Sequence, residues 1–292
     1  MDEADEFFLG SVSPMYVQRR LGGVGPSRSG PAIVLIPGGC HTGMCWTTTP
    51  DGRPGWGRLL AVAGRTNYVV DWPGTGRSRR DEGYTTQGAG PTVDVIAQLL
   101  GRLDDVVVIA HSIGAPLAAK AIETAPESVR AFVCLAPSAP GNIPQAWPGL
   151  PTTQPYKIGA DEAARTLANS ERFPREYFDE YLSSLCDLSP SVQNACGNVD
   201  GSGTLMIRNV ARLTAVRSLV IAAEQDALSP TESSIEVADF LQAEFVLLGR
   251  DWGLPGFGHM MPIERGSEQI LDRISQWIDA DTPTGETGSK FG

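Results

Sequence analysis

The fold is decided by the stretch VVVIAHSIGAPLAAKAIET, residues 106–124. Its first five residues are apolar and mostly β-branched, which predicts a buried strand. From residue 114 to 124, apolar residues recur at intervals of three and four, which predicts a helix. The two patterns nearly touch, so the chain must turn sharply at Ser112, where Ala110 and Gly114 supply small neighbours on both sides.

Outward from this stretch, short apolar runs alternate with amphipathic ones, which is typical of a mainly parallel sheet flanked by helices. The other predicted buried strands are residues 33–36, 68–71, 132–135, 219–223 and 245–248. The other predicted crossover helices are residues 92–103, 232–241 and 266–278. Ahead of them, residues 6–12 and 15–18 predict an antiparallel hairpin at the edge of the sheet.

No buried strand is predicted between residues 137 and 212, a segment rich in Pro, Ser, Asn and Gly. Structureless loops of that length are rare in compact domains, so the segment predicts an inserted, partly helical cap. Its clearest amphipathic piece lies near residues 176–185. The core would then comprise residues 1–136 and 213–280, and the polar residues 281–292 predict a flexible tail.

Composition excludes several classes of protein. The 292 residues carry 23 Lys and Arg against 34 Asp and Glu, a net charge of −11 that argues against nucleic-acid binding. No apolar run approaches the roughly 18 residues of a membrane span. No export signal is visible and the five cysteines lack metal-ligand spacing, so we expect a cytoplasmic protein. No motif for a cofactor or a metal occurs, and a homodimer is left open.

Ser112 is the candidate nucleophile. A serine on a sharp strand-to-helix turn presents its hydroxyl clear of the backbone, and the new helix directs its positive end at any anion formed there. The motif here is A-x-S-x-G, with Ala110 in place of the first glycine. The alternative is a serine that only caps the helix, which would not explain the small flanking residues.

A serine hydroxyl needs a base within hydrogen-bond reach, and the chain contains three histidines. His259 follows the last predicted strand, in a loop whose two glycines leave the backbone free to place a side chain. His41 lies before the serine in a glycine-rich loop. His111 adjoins the serine, and we expect it to pack beneath the turn. We therefore predict His259 as the general base, against the alternative of a surface loop histidine.

The imidazole needs an anion to fix its tautomer and to stabilise its charged form. Asp226 follows the strand predicted at residues 219–223, and we predict it as the acid, with Glu224 as the alternative. The order Ser, Asp, His is that of the strand-turn-helix hydrolases.

The loop PGGCHTG, residues 37–43, follows the first buried strand and could hold backbone amides ready for an oxyanion. We predict the amide of Ile113 as one donor and that of Gly39 as the other, with Cys40 as a close competitor. The alternative is that these glycines only form a turn.

These motifs, in this order, resemble the α/β-hydrolase superfamily over nearly the whole chain. The turn DWPGTGRS at residues 71–78 matches a structural turn that is habitual there. The resemblance implies an α/β-hydrolase fold, with a mainly parallel eight-stranded sheet flanked by helices and an inserted cap. Residues 39–43 and 46–56 more closely resemble a subgroup of microbial esterases related to esterase 713. Some members of that subgroup place a Glu directly after the strand that follows the serine, but residues 135–138 offer no carboxylate, which supports Asp226.

Residues 44–56 predict an ordered loop over the mouth of the site, with Trp46 and Trp56 as apolar contacts. The residues expected to bind substrate are Trp46, His41, Trp147 and Met260. Trp72 and Trp252 could join an apolar wall, although aromatic side chains more often belong to the core.

The leading hypothesis is a serine hydrolase that cleaves a carboxylic ester or lactone of a mid-sized apolar compound through an acyl-enzyme. A second keeps the triad but changes the reaction, to hydrolysis of a C–C bond or to a lyase or cyclase step on a natural product. A third is a binding module that keeps only the pocket. Epoxide and haloalkane chemistry are disfavoured, because they use a carboxylate where this chain has Ser112.

Overall fold

The structure is a computed structural model that describes residues 4–22, 30–145 and 148–280. The predicted tail at residues 281–292 lies outside the described residues. The strands are β1 (Ala4–Leu9), β2 (Met15–Arg20), β3 (Ala32–Ile36), β4 (Asn67–Asp71), β5 (Val106–His111), β6 (Val129–Leu135), β7 (Arg217–Ala222) and β8 (Glu244–Leu247). The helices are α1 (Trp56–Val62), α2 (Gly90–Leu100), α3 (Gly114–Thr124), α4 (Ala160–Thr166), α5 (Phe178–Ser184), α6 (Pro190–Ala195), α7 (Val210–Thr214), α8 (Thr231–Leu241), α9 (Leu248–Trp252) and α10 (Ser267–Asp279). None of the helices in this part of the chain is long and apolar enough to cross a bilayer.

All eight strands form one sheet in the order β1-β2-β4-β3-β5-β6-β7-β8. The β1–β2 and β2–β4 pairs are antiparallel, and the remaining pairs are parallel. This confirms the predicted fold, a mainly parallel eight-stranded sheet flanked by helices. Strands are present at all six predicted positions, and five of them are buried as expected, whereas β8, at the edge of the sheet, is only partly buried. The four predicted helices correspond to α2, α3, α8 and α10.

The predicted edge hairpin is present, but its first strand is shorter than expected. It ends at Leu9 instead of residue 12, because Gly10 adopts φ +92° and breaks the extended backbone. Val12 beyond it is 81% exposed. The strand predicted to extend to residue 12 was therefore too long, and the glycine that ends it was the available signal.

Residues of the central strand β5 face the two sides of the sheet alternately, as the pleat requires. Val106, Val108 and Ala110 join the core cluster that includes residues of α2, α3 and α8. Val107 and Ile109 join the cluster that includes residues of α1 and α10. The strand is thus buried on both faces, and the loops after β3, β5, β6 and β7 meet at one edge of the sheet, where ligands bind in open α/β sheets.

The segment between β6 and β7 contains α4, α5, α6, α7 and two short 3₁₀ turns, Arg175–Tyr177 and Cys196–Asn198. Helix α5 lies within the amphipathic piece predicted near residues 176–185. The boundary predicted between residues 212 and 213 falls inside α7, which packs against α3 and α8. Leu213 of α7 is fully buried, as is Ala163 of the insertion, and both belong to the same core cluster. The division into core and cap stays a prediction.

Candidate active site

Ser112 occupies the turn between β5 and α3 in a conformation that side chains rarely adopt. Its φ is +51°, and the strain is held by hydrogen bonds from the Ser112 amide to the Leu135 carbonyl (2.9 Å) and from the Ala115 amide to the Ser112 carbonyl (3.0 Å). A Cβ at Gly114 would lie 2.5 Å from the Pro37 carbonyl oxygen, so this position requires glycine. The turn therefore places the Ser112 side chain at the wall of a cavity of about 430 Å³.

His259 lines the same cavity and is paired with Asp226. Its Nδ1 lies 2.9 Å and 3.1 Å from the two carboxylate oxygens, and the two side chains are 2% and 0% exposed. The carboxylate also accepts hydrogen bonds from the amides of Leu228 and Ser229, each at 2.8 Å. With Nδ1 directed at Asp226, Nε2 is the ring nitrogen that is left to act as a base.

The alternative acid, Glu224, is engaged elsewhere. Its carboxylate accepts hydrogen bonds from the amides of Gly249 (2.7 Å) and Arg250 (3.1 Å) at the start of α9. The structure therefore pairs the histidine with Asp226 and gives Glu224 a capping role.

His111 links the base to the elbow, by which we mean the sharp turn at Ser112 between β5 and α3. Its Nε2 donates to the carbonyl of His259 at 2.9 Å, and the two ring centroids are 4.8 Å apart. Burial, followed by the neighbouring histidines, lowers its pKa well below the ordinary range, so it is neutral. The packed role expected for His111 is the one the structure gives it. No hydrogen bond joins Ser112 to His259 among the described residues, and such bonds often tighten only when substrate binds.

The loop after β3 lies against the elbow. A Cβ at Gly38 would lie 2.7 Å from Nδ1 of His111 and 3.0 Å from Cβ of Ser112. Gly39 and Cys40 line the cavity. Their amides, and that of Ile113, donate to no acceptor among the described residues, as amides reserved for an oxyanion would.

The insertion holds this loop from the other side. The Cys186 amide donates to the Cys40 carbonyl at 2.9 Å, and a Cβ at Gly39 would lie 3.1 Å from Cδ2 of Leu188. Cys40 itself adopts φ +60°. The loop is therefore clamped between the elbow and the cap.

His41 lies on the far side of this loop and not among the residues that line the cavity, which corrects the expectation that it binds substrate. Its Nδ1 lies 2.6 Å from the Gly39 carbonyl and its Nε2 lies 2.9 Å from the Tyr181 hydroxyl. Burial lowers the pKa of His41 to about 4, so the ring is neutral, with Nδ1 donating to Gly39 and Nε2 accepting from Tyr181. His41 thus orients the loop.

Two other residues expected to bind substrate belong to the core instead. Trp46 is 0% exposed and packs against Trp56 with ring centroids 5.6 Å apart, beneath the sheet and away from the cavity. Met260 is also 0% exposed, and neither residue lines the cavity. The residue types of Trp46 and Met260 do not indicate whether the backbone directs their side chains into the core or into the cavity. Trp147 lies outside the described residues.

The cap supplies most of the cavity wall. The insertion lacks a regular apolar pattern, so the sequence did not reveal which of its residues line the cavity. Its apolar lining residues are Pro137, Ala139, Leu150, Ile158, Leu167, Leu188 and Cys196. Its polar lining residues are Ser138, Gln145, Tyr156, Glu162, Thr166 and Gln193.

Glu264 is a buried carboxyl beside the histidine loop that the sequence did not indicate. It is 0% exposed, and it accepts a hydrogen bond from the Gly258 amide at 2.9 Å. Burial raises its pKa to about 7. The residue before His259 is therefore anchored to a group that changes charge near neutral pH.

Comparison with known proteins agrees with this architecture. A sequence model of a protein family, described as the alpha/beta hydrolase family, matches residues 33–273. A curated relative, the probable secreted lipase phiG of Fungal sp. (strain ATCC 74256), is 24% identical, and the alignment covers 84% of this chain and 81% of the relative.

Among solved structures, a novel bacterial esterase is 19% identical over 96% of each chain, with a TM-score of 0.61. Est816, described as an N-acyl homoserine lactone degrading enzyme, is 20% identical over 91% of this chain and 99% of its own, also with a TM-score of 0.61. The thioesterase domain from the curacin biosynthetic pathway is 17% identical over 94% of this chain and all of its own, with a TM-score of 0.63. At these identities the likeness shows the fold alone.

Proposed function

Because this chain belongs to the alpha/beta hydrolase family, we propose that it is a serine hydrolase that cleaves a carboxylic ester or lactone of a mid-sized apolar compound through an acyl-enzyme on Ser112. One observation carries the proposal: His259, which is paired with the buried Asp226, lines the same cavity as a serine held in the strained turn. The relatives named a lipase, an esterase and a lactone-degrading enzyme are in keeping with it.

In the first half of the reaction, Nε2 of His259 takes the proton of the Ser112 hydroxyl as its oxygen attacks the ester carbonyl carbon. Asp226 holds Nδ1–H and stabilises the imidazolium. The oxyanion of the tetrahedral intermediate accepts hydrogen bonds from the Ile113 amide and from that of Gly39 or Cys40. As the intermediate collapses, His259 returns the proton to the departing alcohol, and the acyl group stays on Ser112.

In the second half, a water molecule gives its proton to His259 and attacks the acyl carbonyl. Collapse of this second intermediate restores the serine hydroxyl and releases the acid. The volume of about 430 Å³ lies within the range of small-molecule sites, and the leucine and isoleucine side chains of its wall favour an apolar substrate body.

The decisive experiment combines a fluorophosphonate probe with nitrophenyl esters of short to medium chain length. We expect the probe to label the protein on Ser112 and the esters to give a burst of nitrophenol, and Ser112→Ala should lose both. Ser233→Ala, which removes another serine of the cavity wall, is the control for labelling at the elbow. Ester hydrolysis retained in Ser112→Ala would refute the mechanism. Labelling of Ser112 without turnover of any ester or lactone would favour the C–C hydrolase, lyase or cyclase alternative.

A further inference from the structure

Glu162 of α4 gives the cavity a negative side. It is the acidic residue that lines the cavity, and no Lys or Arg lines the described part of the wall. The carboxylate lies against the Tyr156 hydroxyl and forms no ion pair with any described residue. An ionised carboxylate has about four lone-pair sites, so this one keeps acceptors that are available to a ligand.

A chain of contacts joins Glu162 to the loop after β3, and it begins where the Glu162 carboxylate lies against the Tyr156 hydroxyl. Tyr156 and Leu188 are joined by two backbone hydrogen bonds of 2.9 Å and 2.8 Å, and the Leu188 side chain abuts Gly39. Burial, and then the neighbouring Glu162 carboxylate, raise the pKa of Tyr156 above the ordinary range for tyrosine. Glu162 is also among the groups that, after burial, raise the pKa of the Cys40 thiol. Its charge therefore acts on both the cap and the loop that holds the candidate oxyanion donors.

Resting on the proposed esterase function, we propose that Glu162 sets the charge preference of this site: it favours esters whose cap-facing part carries an ammonium group and disfavours esters that carry a carboxylate there. A carboxylate beside a tyrosine ring is suited to an ammonium group, which gains from the negative charge and from the face of the ring. A second carboxylate at the same place meets like-charge repulsion and finds no cation on the described wall.

The expected effect is moderate because Glu162 is partly exposed. Solvent and salt screen a charge in such a position, so we expect about a tenfold preference in kcat/KM for a cationic ester over its neutral isostere. The penalty for the anionic ester should be of similar size.

The test uses two matched series of substrates, because the charge can be placed on either side of the scissile bond. The acyl series is the nitrophenyl esters of 4-(trimethylammonio)butyrate, 5,5-dimethylhexanoate and glutarate. The leaving-group series is the butyryl thioesters of thiocholine, 3,3-dimethylbutanethiol and 3-mercaptopropionate. We expect kcat/KM to fall in the order cationic, neutral, anionic in at least one series. We expect Glu162→Gln to reduce the ratio of cationic to anionic kcat/KM by at least tenfold, and the neutral ester reports any general loss of activity that the substitution causes.

Asp161→Asn is the matched control, since it removes the same charge from the same turn of α4 at an exposed position, and it should leave the ratio unchanged. A ratio within twofold of wild type for Glu162→Gln in both series would overturn the proposal, as would an anionic ester that is the best substrate of the wild type. Raising the salt concentration should lower the ratio of cationic to anionic kcat/KM in the wild type. A ratio that does not change with salt would count against the proposal, and this measurement does not depend on whether the variant folds. Fluorophosphonate labelling of Ser112 distinguishes failure of this proposal from failure of the proposed function. If Ser112 is labelled and the ratios are the same in the wild type and Glu162→Gln, the role of Glu162 is refuted and the serine-hydrolase function is not.

Discussion

Replacing Glu264 with glutamine should remove the part of the pH dependence of the free energy of unfolding that comes from the titration of this carboxyl. The side chain is fully buried, one carboxylate oxygen accepts from the Gly258 amide at 2.9 Å, and the carboxyl also lies beside the Ser170 hydroxyl. Glutamine has the same shape and can still accept from that amide. Glu264→Gln therefore removes the titration and leaves the hydrogen bond in place.

The size of the effect follows from the pKa, which burial raises from 4.5 to about 7. Between these values the folded protein binds more protons than the unfolded chain, so the free energy of unfolding falls as the pH rises through this window. The full difference is about 3 kcal/mol, since each pKa unit is worth about 1.4 kcal/mol. About 2 kcal/mol of it falls between about pH 5.5 and 8.5, a range that lies above the isoelectric point near 4.8.

The assay is urea unfolding, followed by tryptophan fluorescence, of the wild type and Glu264→Gln at several pH values in that range. The difference between the two free energies of unfolding should change by about 2 kcal/mol, with the variant gaining relative to the wild type as the pH rises. Glu236→Gln, at an exposed position, controls for the loss of one negative charge. A difference that stays constant with pH, or that changes in the opposite direction, would refute the reasoning.

Three further substitutions test the site and the corrections to the sequence analysis. Asp226→Asn should lower kcat for a nitrophenyl ester by about 10³ to 10⁴ with little change in KM, because the imidazole loses the anion that fixes its tautomer, and a loss below tenfold would contradict this role. Gly38→Ala should lower kcat by about a hundredfold, since the new methyl group would lie 3.0 Å from Cβ of Ser112 and must displace the loop. Gly159→Ala, where a Cβ meets nothing within 4 Å, is its control, and equal activities of the two variants would count against the close approach. Trp46→Phe should lower the free energy of unfolding by about 1 to 3 kcal/mol and leave KM within threefold of wild type. A tenfold rise in KM with an unchanged free energy of unfolding would instead indicate that Trp46 contacts the substrate.

The sequence was most informative where local chemistry leaves few choices. The apolar run into Ser112 and the regular helix after it predict a strand, a sharp turn and a crossover helix, and these are present at β5 and α3. The Asp226 and His259 positions follow from the rule that parallel strands end at one edge of a sheet. The structure pairs their side chains, which are distant in the sequence.

The sequence could not predict the direction in which a side chain points when its residue lies outside a regular helix or strand. Trp46 and Met260 have the composition of a substrate wall, but the backbone directs both into the core. His41 lies in the expected loop, yet it faces Tyr181 of the cap, whose position no periodicity predicted. Glu264 looks like an ordinary surface carboxyl in the sequence, because burial comes from the packing of distant segments. The cytoplasmic location and a homodimer stay predictions.

The clamp on the loop after β3 limits how this enzyme can be re-engineered. In a modular design, an insertion that shapes the binding site could be exchanged without disturbing the chemistry below it. Here the Cys186 amide and the Leu188 side chain reach the backbone of Cys40 and Gly39 directly. A transplanted cap that lacks these two contacts would therefore slow turnover even for a substrate that it accommodates well, and libraries aimed at new specificity should keep residues 186–188 fixed.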